Sequence, residues 1–224
     1  MEKTTEDLLK LFCPPSFLNS FFFSFEGIEG SGKSTQIHKF KAYLESKGFR
    51  TVLLREPGGT EFGEKLRQAI LKSKTPLSPI AEAHLFAASR AQLLEEIILK
   101  ELQKANTAVI CDRYIDSSLA YQGEARSLGL LKILEIHSHY PLTTVPHLTF
   151  YLKISLETSM HRQLIRNNPK DYFESEQGIF HQKLIDGYQK AHQLFSNRIK
   201  VIDGEKDQES VTKNIVNEVK DLFE

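Results

Sequence analysis

The run Gly27-Ile28-Glu29-Gly30-Ser31-Gly32-Lys33-Ser34 fits the pattern G-x-x-x-x-G-K-[ST], which cradles phosphates. Its glycines relieve crowding, so consecutive backbone N–H groups can turn toward phosphate oxygens. A helix starting at the loop's end adds partial positive charge. In such loops the lysine, here Lys33, reaches the β- and γ-phosphates, and the serine, here Ser34, coordinates Mg²⁺. A second feature is Asp112, which ends the apolar run Ala108-Val109-Ile110-Cys111. An acid at that point helps hold Mg²⁺ in proteins with such a loop. Taken alone it would be a plain strand-end turn residue. Arg113 follows, and its planar fork suits a phosphate, although an ordinary surface ion pair uses the same residue. The loop implies a nucleoside triphosphate and leaves kinase, ATPase and switch open.

These residues need elements to position them. Phe21 to Phe25 reads as a buried strand before the loop, and Thr35 to Phe40 as the start of a helix. Ile37, Phe40 and Leu44 fall at helical spacing, with Gly48 just past the end. Val52-Leu53-Leu54 reads as a strand and Phe62 to Leu71 as a helix. Ser78-Pro79 caps a helical region reaching to about residue 104. Strands are predicted at 108–112, 147–152 and 199–202, and helices at 129–139, 175–196 and from Asp207 onward. Repeated strand–helix units predict an α/β fold with three layers, α/β/α, around a central parallel sheet of about five strands. Sites in such folds lie at the carboxyl ends of the strands. That rule brings the loop at Gly27, the run Arg55-Glu56-Pro57-Gly58-Gly59 and Asp112-Arg113-Tyr114 to one edge.

The 224 residues suffice for one domain, at most two. The 29 basic and 29 acidic side chains balance, which argues against a general nucleic-acid binder. Cys13 and Cys111 are the only cysteines, too few for a disulfide framework or a zinc site. No secretory leader pattern is visible, and Phe17 to Phe25 is too short to span a bilayer, so a cytoplasmic location is expected. Residues 1–20, broken by Pro14-Pro15, are expected to be a poorly ordered extension, with the domain at 21–224. His137 and His139 lie two apart on a predicted helix and face different ways, so they are read as structural.

The run Asp112-Arg113-Tyr114-Ile115-Asp116-Ser117-Ser118-Leu119-Ala120-Tyr121-Gln122 resembles the thymidylate kinase signature D-R-Y-x-x-S-S-x-A-Y-Q. Three more blocks agree in order. Phe25 to Thr35 resembles that family's P-loop. Arg55 to Thr60, then Gly63-Glu64 and Arg67, resembles its R-E-P-G-G-T block. Leu85-Phe86-Ala87-Ala88-Ser89-Arg90 resembles its L-F-A-A-D-R helix. The resemblance covers roughly residues 21 to 224.

It implies Mg²⁺-assisted phosphoryl transfer from ATP to dTMP on a P-loop NTPase fold with a short helical lid. ATP would lie on Gly27, Ile28, Glu29, Gly30, Ser31, Gly32, Lys33, Ser34 and Thr35. Arg113 would grip the dTMP phosphate, with Arg55, Glu56 and Pro57 beside it. Arg90 would donate to a thymine carbonyl and Phe86 would stack on the base. Gln122, with Ser117 or Ser118, would contact the base, and Arg67 would support that end. Tyr121 would lie against the deoxyribose and Glu29 would approach its 3′-hydroxyl. Mg²⁺ would sit on Ser34 and Asp112, with Glu56 a further candidate. The family also implies a homodimer.

Gly30 and Ser31 stand where some members of the family carry a P-loop arginine. The pattern therefore resembles the bacterial type, whose lid supplies the cation. The lid is predicted at 162–174, with Arg162, Arg166 and Lys170, and Arg166 in the catalytic role. Asp171-Tyr172-Phe173-Glu174 carries tyrosine where family lids usually carry arginine. Ser89 replaces the usual Asp or Asn beside Arg90, which predicts a looser arginine. Two other readings remain at this point: a nucleoside monophosphate kinase of different base preference, and a non-catalytic nucleotide-binding paralogue.

Overall fold

The computed structural model describes residues 4–73, 75–166 and 178–223. The order opens with α1 (Thr5–Leu9), β1 (Phe21–Glu26), α2 (Lys33–Ser46), β2 (Arg50–Arg55) and α3 (Glu61–Leu71). Then come α4 (Pro79–Leu93), a π-helical turn (Leu94–Ile98), α5 (Leu99–Leu102) and β3 (Thr107–Asp112). α6 (Ile115–Ser118) runs into a second π-helical segment (Leu119–Ala125). α7 (Leu130–Ile136), β4 (Leu148–Lys153), α8 (Leu156–Arg166), α9 (Gly178–Leu194), β5 (Ile199–Asp203) and α10 (Gln208–Asn217) follow. The strands form one parallel sheet in the order β2-β3-β1-β4-β5, matching the expected architecture.

The phenylalanine run builds the centre of this sheet because alternate side chains leave a strand on opposite faces. Phe22 packs with Val109, Cys111 and Tyr114 on one face. Phe23 and Phe25 pack with Phe40, Ile110 and Phe150 on the other. Phe23 meets Phe40 edge-on at 5.1 Å between centroids. Each fully buried ring contributes about 1.5–3 kcal/mol. The register then fixes the site. Phe25 pairs with Asp112 and Arg55 pairs with the same Asp112, so the loops after β1, β2 and β3 leave the sheet side by side. Gly27 starts the first of them at φ +139°, where a Cβ would meet the Leu152 carbonyl oxygen at 2.6 Å.

Two regions differ from the sequence reading. Residues 4–20, expected as a poorly ordered extension, pack onto the domain. Leu8 and Phe12 are buried in the main core, Phe12 meets Phe195 at 6.0 Å, and Cys13 exchanges backbone hydrogen bonds with Thr143 and Val145. An amphipathic turn, an aromatic residue and tertiary contacts to Phe195, Thr143 and Val145 anchor the segment. The run 115–125, which no periodicity marked, is helical, and its π-segment carries Tyr121 and Gln122. π-Turns of this kind cluster at functional sites. Among the described residues no helix is long and apolar enough to cross a membrane.

α9 lies directly on that π-segment. A Cβ on Gly187 would stand 2.7 Å from the Ala120 Cα and 3.0 Å from its carbonyl oxygen. Gly187→Ala is therefore expected to destabilise the fold by about 1–3 kcal/mol through overpacking. Urea unfolding reads this as a lower midpoint, and an unchanged midpoint would show that the two helices can separate freely.

Candidate active site

Arg113 sits at the junction of the three loops, with φ +69°, a left-handed conformation that costs a non-glycine residue about 1–3 kcal/mol. Its backbone N–H is held by the Phe25 carbonyl at 3.0 Å. Its Nη1 donates to Tyr188 Oη at 2.8 Å, Gly27 O at 3.1 Å and Ser117 Oγ at 3.3 Å. Its Nη2 pairs with Glu29, and the guanidinium lies 5.2 Å from the Tyr121 ring centroid. The other Glu29 oxygen accepts from Tyr121 Oη at 3.2 Å. Burial pushes the Glu29 carboxyl up, but Arg113 and Lys33 outweigh it and hold the group at about 2. Beneath Arg113 lies Glu26, wholly buried, where burial and then the Asp116 carboxylate raise the carboxyl to about 7.

A cavity of about 700 Å³ opens around this cluster, a size that suits a nucleotide. Every residue predicted to hold ATP, dTMP or Mg²⁺ lines it except Gly27, Ile28, Thr35 and Arg90. The Arg166 side chain, Lys170 and residues 171–174 lie outside the described residues. Gly30, Ser31, Gly32, Lys33 and Ser34 form one wall, and Arg55, Glu56, Pro57 and Arg67 another. Phe86, Ser118, Tyr121 and Gln122 surround the far end. Gly27 and Ile28 contribute carbonyls instead: Lys33 Nζ donates to Gly27 O at 2.8 Å and Ile28 O at 3.3 Å. Burial, then Arg113, lower the Lys33 ammonium against the pull of Glu29 and Asp112.

Divalent-metal donors are also present. Asp112 borders the cavity, and its buried Oδ1 has no partner. Ser34 borders the same cavity. A carboxylate and a hydroxyl, completed by phosphate and water oxygens, fit the hard-oxygen preference of Mg²⁺. Among the described residues there is no His/Cys/Asp/Glu cluster that would hold a metal unaided. Glu56 gives one oxygen to Arg90 and keeps a buried Oε1 without a partner.

Arg90 is 1% exposed and lies behind the cavity wall. Nε and Nη2 donate to Glu56 Oε2 at 2.8 and 2.5 Å. Nη1 meets Ser118 Oγ at 3.0 Å and His137 Nε2 at 2.6 Å. His137 Nδ1 lies 2.8 Å from the Ile133 carbonyl, so Nδ1 carries the proton and Nε2 accepts. Glu56 and His137 thus fix an arginine that Ser89 was expected to leave loose; Ser89 Oγ itself has no partner. Four of the five N–H groups are taken, which leaves one on Nη2.

On the other side of the P-loop a second cavity, about 350 Å³, lies between Gly30, Thr35, Gln36 and the turn Gly204 to Gln208. Arg162, a predicted lid cation, borders it and donates to Gly30 O and Gly204 O, each at 3.1 Å. Ser159 Oγ donates to Glu29 O at 2.6 Å. α8 is therefore tied to the loop through backbone carbonyls.

The thymidylate kinase family profile matches residues 25–215 of this chain. The chain belongs to the thymidylate kinase family. It is 41% identical over 199 residues to the thymidylate kinase of Thermoanaerobacter sp. strain X514, covering 89% of this chain and 97% of that one. The thymidylate kinase of Acholeplasma laidlawii is 42% identical over 200 residues, 88% and 98% of the two chains. That of Geobacillus sp. strain WCH70 is 42% identical over 205 residues, 91% and 97%. Membership makes the chain a kinase, and it accounts for a cavity that joins a P-loop to a second cationic centre. Glu26, Ser159, Tyr188 and the turn at 204–208 were missed by the sequence reading, which took His137 as structural without its bond to Arg90. Only Glu26, inside the P-loop block, had any sequence signal.

Burial, then Arg90, hold His137 at about 3, below the ordinary 6.5. Between these values the unfolded chain binds a proton that the folded chain refuses. The stability that neutral His137 contributes is complete above pH 6.5 and is lost as pH falls toward 3. His137→Gln keeps an acceptor for Arg90 and removes the titration. Thermal unfolding at several pH values in that window should show a flatter stability curve for the variant. A curve parallel to wild type would mean that His137 is not held neutral.

Proposed function

We propose the following division of labour for the phosphorylation of dTMP by ATP, the reaction that membership of the family assigns to the chain. The observation that carries it is the continuous cavity from Lys33 and Ser34, past Arg113, to Phe86, Tyr121 and Gln122. One end offers a phosphate cradle, the other an aromatic and amide surface of nucleobase size.

The acceptor is a phosphate monoester whose second pKa is about 6, so it is largely dianionic near neutral pH and needs no general base. The protein must hold two anions in line and offset their repulsion. P-loop N–H groups and Lys33 orient the donor, with Lys33 leaving the Gly27 carbonyl for the transferring phosphoryl. Arg113 holds the acceptor phosphate, with Arg55 at the cavity rim beside it. Mg²⁺, when bound, would neutralise donor oxygens from Ser34 and Asp112, and the unpartnered Asp112 Oδ1 supports that assignment. Glu29 takes the sugar 3′-hydroxyl and Tyr121 packs on the deoxyribose. Phe86 stacks on thymine, Gln122 and Ser118 meet its polar edge, and Arg67 braces that wall through Pro57 O at 3.2 Å. The remaining Nη2 hydrogen of Arg90 serves a base carbonyl.

The lid cation belongs to the same reading. Arg162 already reaches the Gly30 carbonyl, so Arg166, one turn further along α8, is assigned to the transferring phosphoryl. The family resemblance also supports a cytoplasmic homodimer.

ADP release measured across dTMP, dUMP, dCMP, AMP and GMP tests the assignment: dTMP should turn over fastest, and faster turnover of any other would overturn it. Lys33→Ala is expected to lower kcat by about 10²–10³, the usual cost of losing one transition-state donor. Arg166→Ala should lower kcat with little change in the dTMP KM. Unchanged turnover would remove Arg166 from the lid role.

A further inference from the structure

We propose that Tyr188, its hydroxyl oriented by Glu26, positions the Arg113 guanidinium for the acceptor phosphate. The proposal rests on the reading of Arg113 as the residue that holds that phosphate.

Hydrogen counting carries the inference. Arg113 Nη1 has two hydrogens and no lone pair to offer, so every partner must accept from it. Tyr188 Oη is the nearest of its three acceptors, at 2.8 Å. A phenol has one hydrogen, which must therefore point elsewhere. Glu26 Oε2 lies 3.1 Å away and Ser117 Oγ 3.0 Å. Ser117 Oγ in turn donates to Glu26 Oε2 at 2.6 Å. The remaining Glu26 oxygen accepts the Tyr114 N–H at 2.7 Å and the Ser117 N–H at 3.2 Å. In its ionised form, which prevails above about pH 7, Glu26 can only accept. It draws the hydroxyl hydrogens of Ser117 and Tyr188 toward itself and leaves their lone pairs facing Arg113.

The arrangement is rigid. The Tyr188 ring is 2% exposed and stacks on Tyr151 at 5.0 Å, and burial keeps its phenol protonated. The Glu26 carboxylate also ties down the backbone N–H groups of Tyr114 and Ser117 in the turn after Arg113, whose left-handed backbone has to be held from outside. Nη1 is thus anchored from below. Nη2, with one hydrogen on Glu29, keeps the other for a ligand. Without Tyr188 the guanidinium loses its shortest neutral anchor and settles further onto Glu29. Neither Glu26 nor Tyr188 lines the cavity, so both are positioning residues.

Calorimetric dissociation constants for dTMP and for thymidine, which lacks the phosphate, test this on the full-length enzyme. Tyr188→Phe keeps the ring and should weaken dTMP about tenfold, the scale of one hydrogen bond to a charged group, while thymidine binding stays at wild type. Glu26→Gln, which replaces an acceptor oxygen with a donor, should show the same phosphate-specific loss. In an Arg113→Lys background, Tyr188→Phe should add nothing. Equal weakening of dTMP and thymidine would mark Tyr188 as merely structural and overturn the proposal. So would a wild-type ratio in Tyr188→Phe while Arg113→Lys alone loses dTMP selectively. A wild-type ratio in Arg113→Lys would instead overturn the reading of Arg113, and the proposal with it. A loss in Tyr188→Phe without one in Glu26→Gln would overturn the part given to Glu26.

Discussion

The ion pair between Arg113 and Glu29 is the interaction on which the site depends. A phosphate site needs a cation that is shielded from bulk water, where charge interactions are strong. An unpaired buried cation is unstable, because desolvation favours its neutral form or its exposure. Glu29 resolves the conflict. Its carboxylate holds Arg113 in the cavity, and on the proposed reading the same carboxylate also meets a sugar hydroxyl. The positive field is therefore stored in a paired state and becomes available when a second anion arrives. The Lys33 ammonium is stored in a similar way on the Gly27 and Ile28 carbonyls.

The rest of the fold brings these charges within reach. Parallel strands put their carboxyl ends on one edge, and the pairing of both Phe25 and Arg55 with Asp112 aligns three loops there. The phenylalanines of β1 bury both faces of the central strand, which makes that edge stiff. A stiff edge permits the left-handed Arg113 backbone, and Glu26 at the end of β1 secures the turn after it. Packing and electrostatics meet in one strand, Phe21–Glu26, whose last residue supports the turn after Arg113 and whose next residue begins the P-loop.

Much of this was legible in the residues. The P-loop, Asp112 and Arg113 announce themselves by type and spacing, and the strand–helix alternation implies the sheet. Other parts were hidden for identifiable reasons. Tyr188 lies 75 residues beyond Arg113, on a helix whose periodicity explains it as core. His137 was read as structural, but its partner, an arginine 47 residues away, could not be named from the sequence. The helical run after Tyr114 contains a π-segment, which breaks the 3.6-residue period on which sequence reading relies. The packing of residues 4–20 depends on Phe195 and Val145, contacts that no local pattern can announce.

On the proposed reading, Glu29 and the acceptor phosphate share one guanidinium. The most direct measurement is the ratio of thymidine to dTMP dissociation constants in Glu29→Gln, set against wild type at one salt concentration. Any lost contact to the sugar weakens both ligands alike and cancels in the ratio. The ratio is expected to rise, because Arg113 loses its internal competitor and the phosphate loses a neighbouring negative charge. A ratio at or below the wild-type value would contradict that reading, and would mean that Glu29 shapes Arg113 for the phosphate without competing for it.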